Sequence, residues 1–253
     1  MAKIVSFSNQ KGGVGKTTSC VNIGAQIANK GKKVLIIDMD PQGNATSGLG
    51  ISKSKVKKTI YDVIIGQATI EEAIIKTRFK NLSVISSNID LAGAELELHE
   101  LEDEVDYAKE ALEAVKADYD YIFIDCPPSL GMLTIKALSL SDGIVIPMQC
   151  EFFSLEGMSQ LLNTVKKIKQ LYNPNLQIVG ILLTMYNGRL TLTGQVVAEL
   201  KKYYSDKLFK VPISRTVRIS EAPGYGEPIC YHDHYGKGAL EYAAVAKELM
   251  LRI

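Results

Sequence analysis

Gln10-Lys11-Gly12-Gly13-Val14-Gly15-Lys16-Thr17-Thr18 is the stretch that decides how the rest of the chain is read. Before it, the apolar run Ile4-Val5-Ser6-Phe7 reads as a buried strand; after it, Val21, Ile23, Ala25, Ile27 and Ala28 read as a helix. A glycine-rich turn between strand and helix aims several backbone N–H groups at one point, and the helix N-terminus adds partial positive charge there. A triphosphate is the natural occupant. Gly12, Gly13 and Gly15 allow close approach and positive φ, with Val14 between them and Thr18 closing the loop. Lys16 is placed to reach the β- and γ-phosphates, and the Thr17 hydroxyl to ligate Mg²⁺.

The common phosphate-loop pattern is G-x-x-x-x-G-K-[ST]. Here its first glycine is replaced by Gln10, and a second lysine, Lys11, follows. That variant resembles the deviant phosphate loop of the ParA/MinD/nitrogenase-iron-protein superfamily, and the resemblance implies that Lys11 contacts nucleotide across a dimer interface. A second apolar run, Val34 to Ile37, ends at Asp38-Met39-Asp40-Pro41-Gln42. Carboxylates at a strand's C-terminal end share the rim of the phosphate loop. Asp38 or Asp40 could therefore orient water toward a γ-phosphate, or simply cap the next turn. The run from Asp38 to Gly50 is similar, almost letter for letter, to ParA chromosome-partitioning ATPases. That resemblance implies Asp40 as the residue needed for hydrolysis, alongside Lys11 and Lys16. Tyr121-Ile122-Phe123-Ile124-Asp125, followed by Cys126-Pro127-Pro128, is a Walker B pattern. Its Asp125 would hold Mg²⁺ through water beside Thr17, and Asp125 to Gly131 again resembles ParA.

The chain has 253 residues, 46% hydrophobic and 23% charged, which suits one ordinary α/β domain spanning 1–253. No stretch approaches the roughly 20 consecutive apolar residues of a membrane span, and the start runs directly into a strand, which argues against a cleavable leader. Cys20, Cys126, Cys150 and Cys230 are scattered and read as small core residues of a reducing cytoplasm. Net charge is only +1, but it is segregated: Leu161–Ser220 carries a net +8 and Ser86–Asp120 a net −10. Such segregation fits either a polyanion-facing surface or two solvated helical faces.

Further apolar runs at Leu82–Ile85, Ile144–Met148 and Ile178–Thr184 alternate with helical stretches, as a parallel sheet buried on both faces requires. The fold expected is a mostly parallel sheet with helices on both faces, of the phosphate-loop NTPase type. A glycine stop after Asn29 ends the first helix. Ile60–Ile64 reads as a short helix, and Thr69 as a cap ahead of Glu71 and Glu72. Ala92–Ala117 reads as acidic and helical, with Leu91, Leu96, Leu98, Leu101, Val105, Ala108, Leu112 and Val115 as its apolar positions. Phe152–Tyr172 reads as a helix whose Leu155, Met158, Leu161, Leu162, Val165, Ile168 and Leu171 form a core stripe. Helices are also read at Gly194–Tyr204 and Ala239–Leu249. Lys53, Lys55, Lys57 and Lys58 read as a solvated basic loop. His232 and His234 lack a third ligand nearby and read as surface histidines rather than a metal site.

Val217–Pro223 resembles the family's adenine-side and DNA-facing loop. The resemblance implies phosphate contacts to DNA from Arg189 and Arg218; charge alone adds Lys201 and Lys202. The family's common Ile-Pro-Arg reads Ile213-Ser214-Arg215 here, with its proline shifted to Pro212, the adenine-side candidate. Taken together, the resemblance implies a cytoplasmic, nucleoid-associated ATPase that uses ATP and Mg²⁺ to segregate chromosomes or plasmids. It further implies a homodimer when ATP-bound, sequence-tolerant binding to double-stranded DNA, and a ParB-like partner that stimulates hydrolysis. No membrane role is expected. The alternatives are a MinD-like membrane-positioning ATPase, a DNA-tethered regulator without turnover, and a nitrogenase-type electron donor using Cys126.

Overall fold

The computed structural model describes residues 1–94, 107–152 and 154–253. Apolar runs rich in Val and Ile, too short for helices, become strands. They are β1 (Lys3–Phe7), β2 (Val34–Asp38), β3 (Ile74–Lys76), β4 (Leu82–Ile85), β5 (Tyr121–Asp125), β6 (Gly143–Gln149) and β7 (Gln177–Thr184). Among the described residues these form one sheet in the order β3-β4-β2-β5-β1-β6-β7. Every neighbouring pair is parallel except β3 with β4.

Side chains alternate between the two faces with the two-residue period of a strand. Val5, Phe7, Ile36, Val84 and Phe123 enter one apolar cluster, while Ile4, Leu35, Ile37, Ile85, Ile122 and Ile124 enter another. Phe7 and Phe123 meet edge to face at 5.3 Å in the first. That face is covered by α1 (Lys16–Ala28) and by the last helix, Lys237–Arg252, through Tyr242, Val245, Ala246 and Leu249. A short α2 (Asn44–Gly48) follows β2. The other face is covered by α3 (Ile60–Ile64), α4 (Ile70–Ala73), α5 (Tyr107–Val115) and α6 (Met132–Ser139). Around β6 and β7, α7 (Ser154–Leu171) and α8 (Thr191–Tyr204) close a third cluster. The chain ends with α9 (Val217–Glu221), α10 (Ile229–His232) and α11, the Lys237–Arg252 helix already placed.

Several expectations meet corrections. Thr69 and Glu72 do form a capping box, but α4 stops after one turn and passes directly into β3, an edge strand too short to show a pattern. Val217–Glu221 is helical rather than loop, because the Thr216 hydroxyl accepts the Ile219 N–H and caps it. Leu171 lies outside the core stripe, 71% exposed at the end of α7. Of the acidic helical stretch, Ala108, Leu112 and Val115 are buried on α5, whereas Leu96, Leu98, Leu101 and Val105 lie outside the described residues. Pro147 is tolerated within β6 because the last β1–β6 pair is Phe7 with Val145. Past that pair, the Pro147 carbonyl accepts the Asn9 amide at 2.7 Å instead.

Gly143, at the start of β6, tests how tightly the sheet is packed against β7. A Cβ there would fall 2.3 Å from Val179 Cγ2 and 3.3 Å from the Gln177 carbonyl. Gly143→Ala should cost about 1–3 kcal/mol in urea denaturation. Adding Val179→Ala, which removes the clashing methyl group, should recover part of that loss; a double variant no more stable than Gly143→Ala would contradict the packing.

Candidate functional site

The phosphate loop is fixed from the sheet by side chains. The Thr184 hydroxyl donates to the Val14 carbonyl at 2.7 Å, Gln149 Nε2 to the Gly13 carbonyl at 2.8 Å, and the Lys11 N–H to Asn9 Oδ1 at 3.0 Å. Gly13 and Gly15 have φ of 69° and 82°, the left-handed region that a side chain disfavours. Gly15 starts α1 with no side-chain cap, so the first N–H groups of that helix are left for a ligand. Together these features shape a cavity of about 540 Å³ lined by Gly12, Gly13, Gly15, Lys16, Thr17 and Thr18. Asp40, Pro223 and Glu227 also line it. Val14 is buried beneath the loop.

Register brings the carboxylates to this rim. Asp38 pairs with Asp125, and Asp125 with Phe7, so the ends of β1, β2 and β5 lie at one level. Asp38 Oδ2 accepts the Thr46 N–H at 2.8 Å and the Thr46 hydroxyl at 2.7 Å, and Oδ1 accepts the Asp40 N–H at 3.3 Å. It is fully buried, and burial pushes its pKa up to about 6 against those hydrogen bonds. Asp38 therefore caps the turn. Asp40 faces the cavity instead, with Oδ1 taking the Gln42 N–H at 2.9 Å.

Asp125 is the uncompensated group. Neither carboxylate oxygen has a hydrogen-bond partner in regular geometry. Burial, then the Asp38 charge, push its pKa well above the usual carboxylate range, while the Thr17 hydroxyl and Lys16 ammonium pull the other way. A buried anion with free lone pairs, beside a threonine hydroxyl and a phosphate cradle, has the donor chemistry of a magnesium site. Lys16 is itself buried; its pKa is lowered by that burial and partly restored by Asp125. Its ammonium donates to the Lys11 carbonyl at 3.3 Å. The Lys11 ammonium is ion-paired with Glu151, and both are about half exposed.

A second cleft, about 660 Å³, opens beside the first and shares Met185 with it. Its lining includes Arg189, Arg215, Lys237, Glu151 and Cys150. Arg189 is thus grouped with two cations that the motifs did not single out. Arg215 entered only as the end of Ile213-Ser214-Arg215, read for its displaced proline rather than as a cation, and Lys237 lies outside the motifs quoted above. Arg218 is exposed on α9 and lies 3.4 Å from Glu221. Lys201 and Lys202 are not brought to this cleft. They end α8, about 15 Å along its axis from its first residue, Thr191, at 1.5 Å per residue, and Lys202 pairs with Glu199. Pro212 does not line the nucleotide cavity either; Met185, Pro223 and Glu227 stand there. No sequence motif pointed to Met185, whose φ of 49° is unusual for a residue with a side chain.

Other candidates are qualified by their surroundings. Lys53 is not merely solvated, since its ammonium donates to the Gln42 carbonyl at 2.7 Å. His232 is largely buried, its ring 4.8 Å from that of Tyr225. Among the described residues no group of three or more His, Cys, Asp or Glu is arranged to hold a metal ion. Cys126 is fully buried and its thiol is pushed up to about 12 by that burial, then by Asp125, which makes a thiolate cluster ligand unfavourable.

Known proteins give independent findings. A family profile described as an AAA domain matches residues 2–178. The sporulation initiation inhibitor protein Soj of Bacillus subtilis is 53% identical over 249 residues, covering 98% of this chain and 98% of Soj. The chromosome partitioning protein ParA of Myxococcus xanthus is 45% identical over 252 residues, covering 100% of this chain and 89% of that protein. Among solved structures, cobyrinic acid a,c-diamide synthase from Mycobacterium smegmatis with bound ATP analog and magnesium has a TM-score of 0.86 and 33% identity. That match covers 98% of this chain and 93% of the other.

The strained electrostatics of Asp125 have a measurable cost. A carboxyl whose folded pKa is raised contributes nothing below its unfolded pKa, destabilises increasingly as pH rises from there toward the folded value, and levels off above it. Asp125→Asn should therefore stabilise the nucleotide- and magnesium-free protein at pH 7.5 by about 1–3 kcal/mol, and the gain should shrink as pH falls toward 4. Urea midpoints across pH in chelator test this; a destabilised variant at pH 7.5 would contradict it.

Proposed function

The chain belongs to the Soj/ParA family of partitioning ATPases, and from that premise we propose that it is an ATP-dependent switch for segregating chromosomes or plasmids. The observation that carries this reading is the unpartnered, buried Asp125 set against an uncapped helix N-terminus, Lys16 and Thr17. Gly12 to Thr18 would cradle the phosphates through backbone N–H groups. Thr17 directly and Asp125 through water would hold Mg²⁺, which supplies neutralisation of phosphate charge. Lys16 adds a fixed cation at the β- and γ-phosphates. Asp40, the carboxylate that faces the cavity, would orient the attacking water, whereas Asp38 is committed to Thr46.

Lys11 would act across an ATP-bound homodimer, touching the partner's nucleotide. Its present bond to Glu151 is half exposed and therefore weak, so exchanging it for a phosphate costs little. DNA binding would use the exposed Arg189 and Arg218, supplemented by Arg215 and Lys237 in the same region as Arg189. Lys201 and Lys202 would contribute only long-range charge. Contacts of this kind address phosphates rather than base edges, and make binding sequence-tolerant. A ParB-like partner would complete the hydrolytic geometry and release the dimer from the nucleoid.

The membrane-positioning alternative finds less support. The basic end of α11 is committed: Arg252 donates to the Val179, Lys207 and Leu208 carbonyls and pairs with Glu248. An amphipathic anchor would need that side chain free.

Random-sequence duplex DNA titrated with ATP, ADP or no nucleotide tests the switch. ATP-dependent binding is expected, weakened at least about tenfold by Arg218→Glu. If about six phosphates are neutralised, log K should fall with log salt at a slope of about −5. Equal binding in all three nucleotide states would refute the switch. In ATPase assays, Lys16→Ala should abolish nucleotide-dependent states, and Asp40→Ala should lower turnover by about 10²-fold or more while leaving ATP and DNA bound. Parental turnover by Asp40→Ala would remove that residue from the chemistry.

A further inference from the structure

Beyond the phosphate loop, the nucleotide cavity is walled by Pro223 and Glu227. Pro223 belongs to a short turn, Ala222–Tyr225, closed by Gly226 at φ 64°, and Glu227 follows that glycine directly. The turn has only local bonds of its own: Gly226 N–H to the Pro223 carbonyl at 3.0 Å, and Glu227 N–H to the Ala222 carbonyl at 3.1 Å. Ala222 anchors its start in the core, but Tyr225 at the other end is 67% exposed, so little apolar burial holds that end. A segment of this kind has low local stability unless something outside fastens it.

Two fasteners are present. Gly226 lies against Gly50, so close that a Cβ on Gly226 would fall 2.5 Å from Gly50 Cα. Gly50 follows α2, whose Asn44, Ser47 and Gly48 line the same cavity. From the other side comes Arg78, in the connection between β3 and β4. Its Nη2 lies 3.2 Å from the Tyr225 carbonyl, 3.2 Å from the Gly226 carbonyl and 3.0 Å from Glu227 Oε1, donating toward all three. The guanidinium lies 5.2 Å from the ring centre of Phe79, itself buried. Glu227 Oε2 is 3.8 Å from His232 Nδ1, which leaves Arg78 as its close cation. Arg78 itself does not line the cavity.

We propose that Arg78 is a positioning residue for nucleotide binding: by fastening Tyr225–Glu227 it holds the wall against which the base and ribose end of ATP packs. This rests on the ATP-binding reading above and extends it to a residue far from the phosphates. The division of labour is chemical. Gly12–Thr18 address phosphate oxygens, and the Arg78-held wall addresses the remainder of the ligand, so loss of Arg78 should be felt only by ligands that carry a nucleoside.

Calorimetric titration of the full chain with ATP and with inorganic tripolyphosphate, each with Mg²⁺, separates the two. Arg78→Ala should raise the Kd for ATP about tenfold and leave that for tripolyphosphate unchanged. In turnover, KM for ATP should rise while kcat stays within about twofold. Arg78→Gln, which keeps the stem over Phe79 but removes the charge, gives the same test if the alanine variant does not fold. Unchanged ATP affinity in the folded variant, or an equal loss for both ligands, would overturn the proposal. A wild-type protein that binds neither ligand would instead overturn the ATP-binding reading itself.

Discussion

A buried charge must find a counter-charge or hydrogen-bond donors, and the carboxyl rim of this sheet places two aspartates side by side where only one does. Parallel register sets Asp38 next to Asp125. Thr46 satisfies Asp38 with backbone and side chain together, and nothing does the same for Asp125. One carboxylate is thereby made structural, and its neighbour is left to be completed by a cation. The sheet order, the uncapped α1 and the buried Lys16 all converge on that unfinished position.

The phosphate loop and the cationic cleft hang from the same strand ends. Thr184, the last residue of β7, holds the Val14 carbonyl, and Met185 follows immediately with a left-handed backbone. Gln149, the last residue of β6, holds the Gly13 carbonyl and also reaches Met185 Sδ at 3.0 Å. Arg189 lies only four residues beyond Met185. A rearrangement of the loop around its ligand is therefore mechanically close to the cleft that carries Arg189, Arg215 and Lys237. A backbone conformation uncommon for methionine at this junction is the kind of local strain that binding sites retain.

Much of this was legible in the sequence, for identifiable reasons. Long-period features were clear in combination: apolar run plus aspartate at Tyr121–Asp125 is a weak pattern alone, and becomes specific beside the strand–glycine–helix of Ile4–Ala28. The choice between Asp38 and Asp40 was left open by spacing, because either can end a strand; only the Thr46 bonds distinguish them. β3 escaped because three residues cannot display a period. The Thr216 cap lay unread immediately before a segment that the family resemblance had presented as a loop. Arg78 and Lys237 were invisible for another reason. Their partners lie 147 to 149 residues away for Arg78, and Lys237 reaches its cleft only through folding. Lys201 and Lys202 show the converse: charge counted along the chain does not say which cations the fold gathers into one cleft.

The two borders of the sheet bear on how copies of this chain can meet. On one side β3 runs antiparallel for only three residues and ends on exposed Lys76. On the other, the chain returns beside β7, bridging Ile181 to Leu208 and Tyr186 to Ser214. A short, charged border and a covered one are poor templates for adding another strand. Continuous sheets shared between molecules, and the fibrous assembly that such sheets invite, are thereby disfavoured, and self-association is directed toward the loops above the strand ends.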